Sequence, residues 1–184
     1  MPQFVVLLRG VNVGKGNRVP MAAFRMLLEA QGFAEVRTLL NSGNAVFDSA
    51  AGSAASHAKV IGAGLQESLG LGVLVVVKSS AEFLAVVAEN PLAFPENHHS
   101  RCLVAFAQSK AAIQSLSALL PMLQLPERLH IGNHAAYLHC ARGILESKAG
   151  SALLGKLGRE ITTRNWATVL KLKALLGQRP VPPN

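Results

Sequence analysis

The chain has 184 residues, half of them apolar, which suits one domain or two small subdomains and is enough to bury a sizeable core. Its formal net charge is +8, from 18 Lys and Arg against 10 Asp and Glu, a balance that favours an anionic partner over an acidic-cluster chemistry. No apolar run approaches the roughly 20 residues of a membrane span, "FVVLL" is broken by Arg9 too early for a signal peptide, and Cys102 and Cys140 form neither a disulfide framework nor a CxxC motif, so the expectation is a soluble cytoplasmic protein with no membrane association.

Residues 4–8 read as a buried strand. Pro20 fits the first turn of a helix, with Met21, Phe24, Leu27 and Leu28 at helical spacing and Gly32 as its stop. "EVRTLL" (35–40) and "AVF" (45–47) read as strands joined through "NSGN", a composition suited to a hairpin. A second helix is expected over 53–69 with Leu65 and Leu69 inward and Gly70 after it, then a strand at 73–77. The order βαββαβ is the split βαβ or ferredoxin-like unit.

The pattern then nearly repeats. A linking helix starts at Ser79, whose spacing to Glu82 makes a capping box, and stops before Pro91. A strand at 102–106 precedes a helix over 110–120 with Ile113, Leu116 and Leu120 inward. "RLHI" and "AAYLHC" flank Gly132-Asn133, a two-residue hairpin signal. A helix near 148–157 and a last helix over 164–176 follow, so the second half reads βαββα. The expected fold is therefore α+β: two ferredoxin-like βαββα(β) subdomains in tandem with a shared core, plus linking and C-terminal helices. The first subdomain is 1–78 and the second 79–178, with "RPVPPN" (179–184) as a disordered tail.

The positive charge is unevenly placed. Residues 1–28 hold Arg9, Lys15, Arg18 and Arg25 with no acid, and 146–184 hold seven basic residues against Glu146 and Glu160, while the stretch between is close to neutral. Such a split predicts that the two basic segments serve one site. "LLRGVNVGKGNRVPM" (7–21) lacks the spacing of a P-loop, since Gly10 and Gly14 are one residue too close and Lys15 is followed by Gly16 rather than Ser or Thr. It reads either as a tight turn into a helix or as a looser anion nest. Asn12 and Asn17 beside Arg9, Gly14, Lys15 and Arg18 exceed what a turn needs.

Ten scattered acids argue against two-metal hydrolysis or paired-carboxylate catalysis. His134 and His139, read as lying on one strand, would point to opposite faces, and His98-His99 sits in a loop, so no metal site is expected. No nucleophile elbow occurs. In "TTRNWATVLKL" (162–172), Thr163 reads as an N-cap, placing Arg164 and Asn165 in the first helical turn. A cation there opposes the helix dipole, which a docked anion would relieve; alternatively Arg164 pairs with Glu160. Arg164, Thr168 and Lys171 would share one face, with Trp166, Val169 and Leu170 packed inward. Ser42 and Asn44 in "NSGN" either build the hairpin or present polar groups at a strand end.

These stretches, with "GFAEVRTLLNSGNAVFDS", "YLHC" and "SK", together resemble the bacterial family known as domain of unknown function 1697 (DUF1697). The family's opening is closer to G-I-N-V-G-G-K-N, so Lys15 is shifted by one, and Ala167 replaces the second Asn of its R-N-W-N-T ending. The resemblance implies a soluble bacterial α+β protein and no established activity. The reading is a cofactor-free, metal-independent binding protein for a phosphate-bearing ligand, nucleotide or nucleic acid. Its candidate residues are Arg9, Asn12, Gly14, Lys15, Asn17, Arg18, Ser42, Asn44, Lys148, Thr163, Arg164, Asn165 and Lys171. The alternatives are a transferase-like small-molecule enzyme using Lys15 or Lys148 for charge stabilisation, and an interaction module whose basic face meets an acidic protein.

Overall fold

The computed structural model describes residues 1–92 and 94–178; the expected tail at 179–184 lies outside the described residues. The chain divides into two units, Met1–Phe83 together with the residues from Leu172 on, and Leu84–Lys171.

The first unit runs β1 (Gln3–Leu8), α1 (Met21–Ala30), β2 (Ala34–Leu39), β3 (Asn44–Asp48), α2 (Ala54–Leu69) and β4 (Val75–Ser79). Its antiparallel sheet has the order β2-β3-β1-β4. Strand alternation sends Phe4, Val6, Leu8, Ala45, Phe47, Val75 and Val77 into one apolar cluster with Phe24 and Leu28 of α1 and Ile61 and Leu65 of α2. Ser53 and Ser56 form a reciprocal capping box at the start of α2, and Gly70 ends it in the left-handed region. Leu69, expected inward, is exposed. The reason lies in the helix stop: Gly70 turns the chain in the left-handed region, the N–H of Leu71 bonds back to the Leu65 carbonyl, and Leu71 packs on the core instead.

α3 (Ser80–Glu89) begins with the expected capping box, in which Glu82 accepts from the Ser79 N–H at 2.7 Å. The second unit continues with β5 (Cys102–Phe106), α4 (Lys110–Gln114), β6 (Arg128–Ile131), β7 (Ala136–His139), α5 (Lys148–Leu154) and β8 (Thr162–Asn165); α6 (Trp166–Leu175) starts in it and ends in the residues from Leu172 that belong to the first unit. Its sheet order is β6-β7-β5-β8, the same permutation as the first. Both units are thus complete split-βαβ arrangements, each packed against helices, and β8 is the strand that the sequence reading lacked. A second apolar cluster gathers Leu103, Ala105, Ile113, Leu116, Leu119, Leu138, Leu153 and Ile161.

The α+β architecture is as expected, and three further local expectations are corrected. Beyond Gln114 the helix tightens into a 3₁₀ stretch over Ser115–Met122. With three residues per turn, Ile113, Leu116 and Leu119 line up inward and Leu120 is exposed. The β6–β7 turn is centred on Asn133-His134, because the Gly132 N–H pairs with the Ala135 carbonyl. The Glu89 carboxylate accepts from both central N–H groups of that turn and from the Tyr137 hydroxyl. His134 therefore belongs to the turn rather than to the strand with His139. The third correction, at residues 163–165, bears on the site.

Candidate functional site

The opening loop is built from the end of β1. The Leu8 N–H donates to the Gly43 carbonyl at 2.8 Å and the Arg9 N–H to the Leu74 carbonyl at 3.0 Å, fixing where the chain leaves the sheet. From there the backbone is left-handed at every second residue, Gly10 (φ +64), Asn12 (φ +56) and Gly14 (φ +61), and again at Asn17 (φ +45). Val11 and Val19 are buried in the first apolar cluster and pin the two legs of the loop. The segment from Val13 to Arg18 between them is exposed.

Asn12 ties the legs together. Its Oδ1 accepts from the Val19 N–H at 2.9 Å, and its Nδ2 donates to the carbonyls of Val19 and Asn41, both at 2.7 Å. Its amide is thus committed to the scaffold, and tolerance of the left-handed region suits Asn to that position. Asn17 donates to the Gly10 carbonyl and Arg18 to the Gly14 carbonyl at 3.0 Å, so both brace the tip. Lys15 is exposed at the tip itself. Burial lowers the Arg9 guanidinium from its usual range. A cavity of ≈ 320 Å³ opens beside the loop, lined by Asn12, Arg18, Val19, Pro20, Met21 and Asn41.

The "NSGN" turn belongs to the same construction. Gly43 is left-handed (φ +74), and a Cβ there would stand 2.6 Å from Cγ2 of Val11 and 2.7 Å from Cβ of Leu8. Asn44 is fully buried, and its Nδ2 donates to the Leu39 carbonyl at 3.0 Å and to Oγ of Ser42 at 2.9 Å. The structure therefore brings Ser42 and Asn44 together as a turn lock, and it brings that turn against the opening loop.

Lys148, Thr163, Arg164, Asn165 and Lys171 belong to the second unit. Lys148 is exposed at the start of α5, after Ser147, whose hydroxyl accepts from the Gly150 N–H. Thr163 is not an N-cap and Arg164 is not in a helical turn: both lie in β8, opposite Ala105 and Val104 of β5. The tertiary ladder outweighs the local helix-start signal. Asn165 takes the capping role, its Oδ1 accepting from the Thr168 N–H at 2.9 Å. Arg164 is 7% exposed and donates to Oγ1 of Thr162 at 2.9 Å and to the Thr163 carbonyl at 2.7 Å. Burial lowers its guanidinium to about 10, which leaves it charged at neutral pH. The shared face of Arg164, Thr168 and Lys171 does not form: Thr168 is buried and Lys171 exposed. Trp166, expected inward, is half-buried.

Two groupings escaped the sequence reading. Phe94, His98 and His139 stack, with the Phe94 and His139 ring centroids 3.9 Å apart and the two histidines joined at 3.3 Å. They lie too far apart in sequence for spacing to link them. No group of three or more His, Cys, Asp or Glu among the described residues could hold a metal ion. The second grouping is Arg37 with Asp48 on the first sheet, whose signal was a polar side chain on the outward alternation of each strand.

The family model described as "Protein of unknown function (DUF1697)" matches residues 1–137, which include the opening loop and the "NSGN" turn but not the 162–172 stretch. No curated protein matches the chain. The solved structure of the conserved bacterial protein SP0830 from Streptococcus pneumoniae is similar, with a TM-score of 0.78 and 25% identity. The likeness covers 97% of this chain and 99% of that one.

Proposed function

The chain belongs to the DUF1697 family of proteins of unknown function, and on that footing we propose that its 9–18 loop binds a phosphate-bearing ligand, a nucleotide or nucleic acid, without a metal ion. The observation that carries this reading is the left-handed backbone at alternate residues Gly10, Asn12 and Gly14. A chain whose φ alternates in sign turns N–H groups toward one concavity, an anion-binding nest; here the Asn12 N–H is itself donated to the Asn17 carbonyl at 3.0 Å, so the reading rests on the N–H groups beside it. Asn12 holds that shape before any ligand arrives, so little ordering opposes binding. Lys15 and Arg18 add positive charge at the tip without bidentate demands. A P-loop hydroxyl for Mg²⁺ is absent from the motif, so charge neutralisation falls to these side chains and to the backbone.

Inorganic phosphate, AMP, ATP and a short single-stranded RNA, titrated at two salt concentrations with and without EDTA, test the proposal. Gly14→Val is the informative variant. A Cβ at Gly14 meets nothing within 4 Å, so the substitution perturbs the loop's backbone and not the core. Binding is expected to vanish in Gly14→Val, to weaken and lose salt sensitivity in Lys15→Gln, and to survive EDTA. A steep salt slope with RNA identifies backbone binding, and saturation by one nucleotide identifies a pocket. Unchanged affinity in Gly14→Val returns the loop to being a turn.

A further inference from the structure

The face of the first sheet opposite α1 and α2 carries a polar site of its own. A β-bulge sets it up: Ala34 pairs with Asp48 and Arg37 with Val46, so β2 carries one extra residue over that stretch. Glu35 takes up the excess in the left-handed region (φ +51), while Val36 still reaches the apolar cluster. Arg37 is thereby set on the face shared with Asp48 and Gln3. The chain returns to this face after α6, where the Gly177 N–H donates to Oε1 of Gln3 at 2.9 Å and Nη1 of Arg37 donates to the Gln178 carbonyl.

Around these residues is a cavity of ≈ 570 Å³, lined by Met1, Gln3, Glu35, Arg37, Asp48, Gly177 and Gln178. Nε and Nη2 of Arg37 and Oδ1 of Asp48 are all buried and have no hydrogen-bond partner among the described residues. Buried polar atoms in folded proteins are nearly always paired, so three on two oppositely charged side chains lining one cavity point to a guest that pairs them. Nε–H and Nη2–H lie along one edge of the guanidinium and run parallel, the edge that grips both oxygens of a carboxylate. Nη1 is held by Gln178, which fixes the orientation of that edge. Oδ1 of Asp48 is an acceptor and calls for an N–H donor, best a cationic one.

We propose that this cavity binds a small α-amino acid, with its carboxylate on the Arg37 edge and its ammonium on Asp48. Glu35 at the exposed side sets a second carboxylate beside Asp48 in a lining that also includes Met1, so a zwitterion suits the mixed charge here better than phosphate does. The site is thereby separate in chemistry from the loop at 9–18.

Ligand-observed NMR and calorimetry on the full chain, with a panel of L-α-amino acids from glycine to arginine, test this, using acetate and methylamine as half-ligands. At least one amino acid should bind saturably and more tightly than either half-ligand. Its affinity should fall by roughly tenfold or more in both Arg37→Lys and Asp48→Asn, the loss expected for one charge-assisted hydrogen-bonded contact. Arg37→Lys keeps the charge and removes the parallel N–H pair, so it separates the fork from general electrostatics. Lys15→Gln should bind as the unaltered chain does. Absence of binding across the panel, or affinity unchanged in either variant at position 37 or 48, overturns the proposal.

Discussion

Replacing Gly43 with alanine should cost far more stability than the same change at Gly14, although both glycines are left-handed, at φ +74 and +61. The backbone penalty for an L side chain in that region is about 1–2 kcal/mol and applies to both. At Gly14 nothing lies within 4 Å of the new Cβ, so that penalty is the whole effect. At Gly43 the Cβ would stand 2.6 Å from Cγ2 of Val11 and 2.7 Å from Cβ of Leu8, well inside carbon–carbon contact. Leu8 is wholly buried and Val11 is 1% exposed, so neither can retreat into solvent. Overpacking of this kind adds about 1–3 kcal/mol, giving a total of roughly 2–5 kcal/mol at Gly43. Urea denaturation of both variants checks the difference. Far-UV circular dichroism is the suitable probe, because Trp166, the one tryptophan, lies in the second unit and would not report on the first. Equal losses at the two positions would refute the view that the "NSGN" turn and the opening loop are held by direct packing at Gly43.

Two further outcomes follow from burial. His57 stands edge-on to Phe4, Phe33 and Phe47, and burial pushes its pKa below the usual 6.5. Below that pH the unfolded chain takes up a proton that the folded chain refuses. His57 therefore makes stability fall as pH drops from 6.5 toward its folded value. His139 shifts in the same direction, by burial first and then by neighbouring cations, so the measurement is a comparison. His57→Leu should flatten the fall in denaturation midpoint between about pH 7 and pH 5, and an unaltered slope would contradict this. Arg164→Ala should destabilise the chain by about 2–4 kcal/mol, as expected for removing a buried, hydrogen-bonded side chain, without changing phosphate affinity at the 9–18 loop. A variant that melts like the unaltered chain but loses phosphate binding would restore Arg164 to the ligand site.

What the sequence made legible was local and periodic. The cap at Ser79 and the stops at Gly32 and Gly70 each depend on neighbours within a few residues, and each lies where expected. Residues 162–165 read as a helix start because "TTRN" contains a sound N-cap and no alternation long enough to signal a strand. Its strand state comes from pairing with Cys102–Phe106, about sixty positions away. The same limit hid the Arg37–Asp48 site, since the bulge at Glu35 is a property of two paired strands and leaves no mark on either alone. At the opening loop the residue types were legible but their division of labour was not. Asn12 reads in the sequence as a ligand contact, and in the fold its side chain spans the loop to Val19 and Asn41.

The two units also serve as controls for each other. Both must carry the chain from the end of their first strand to the start of the following helix. The second unit does so with residues 107–109 alone, Ser109 capping α4 by accepting from the Ala112 N–H. The first unit uses residues 9–20 for the same crossover. Part of that length is structural, because Val11 and Val19 fill the core and Asn12 braces them. The exposed tip from Val13 to Arg18 has no counterpart in the shorter crossover and contributes nothing to the apolar cluster. A fold that can make the turn in three residues does not require six more that are exposed, glycine-rich and basic. Exposed loop length beyond what connectivity demands is where binding residues concentrate, since a rigid scaffold can hold such a loop without depending on it. That tip, Val13 to Arg18, adjoins the alternating backbone of Gly10, Asn12 and Gly14 and shares Gly14 with it.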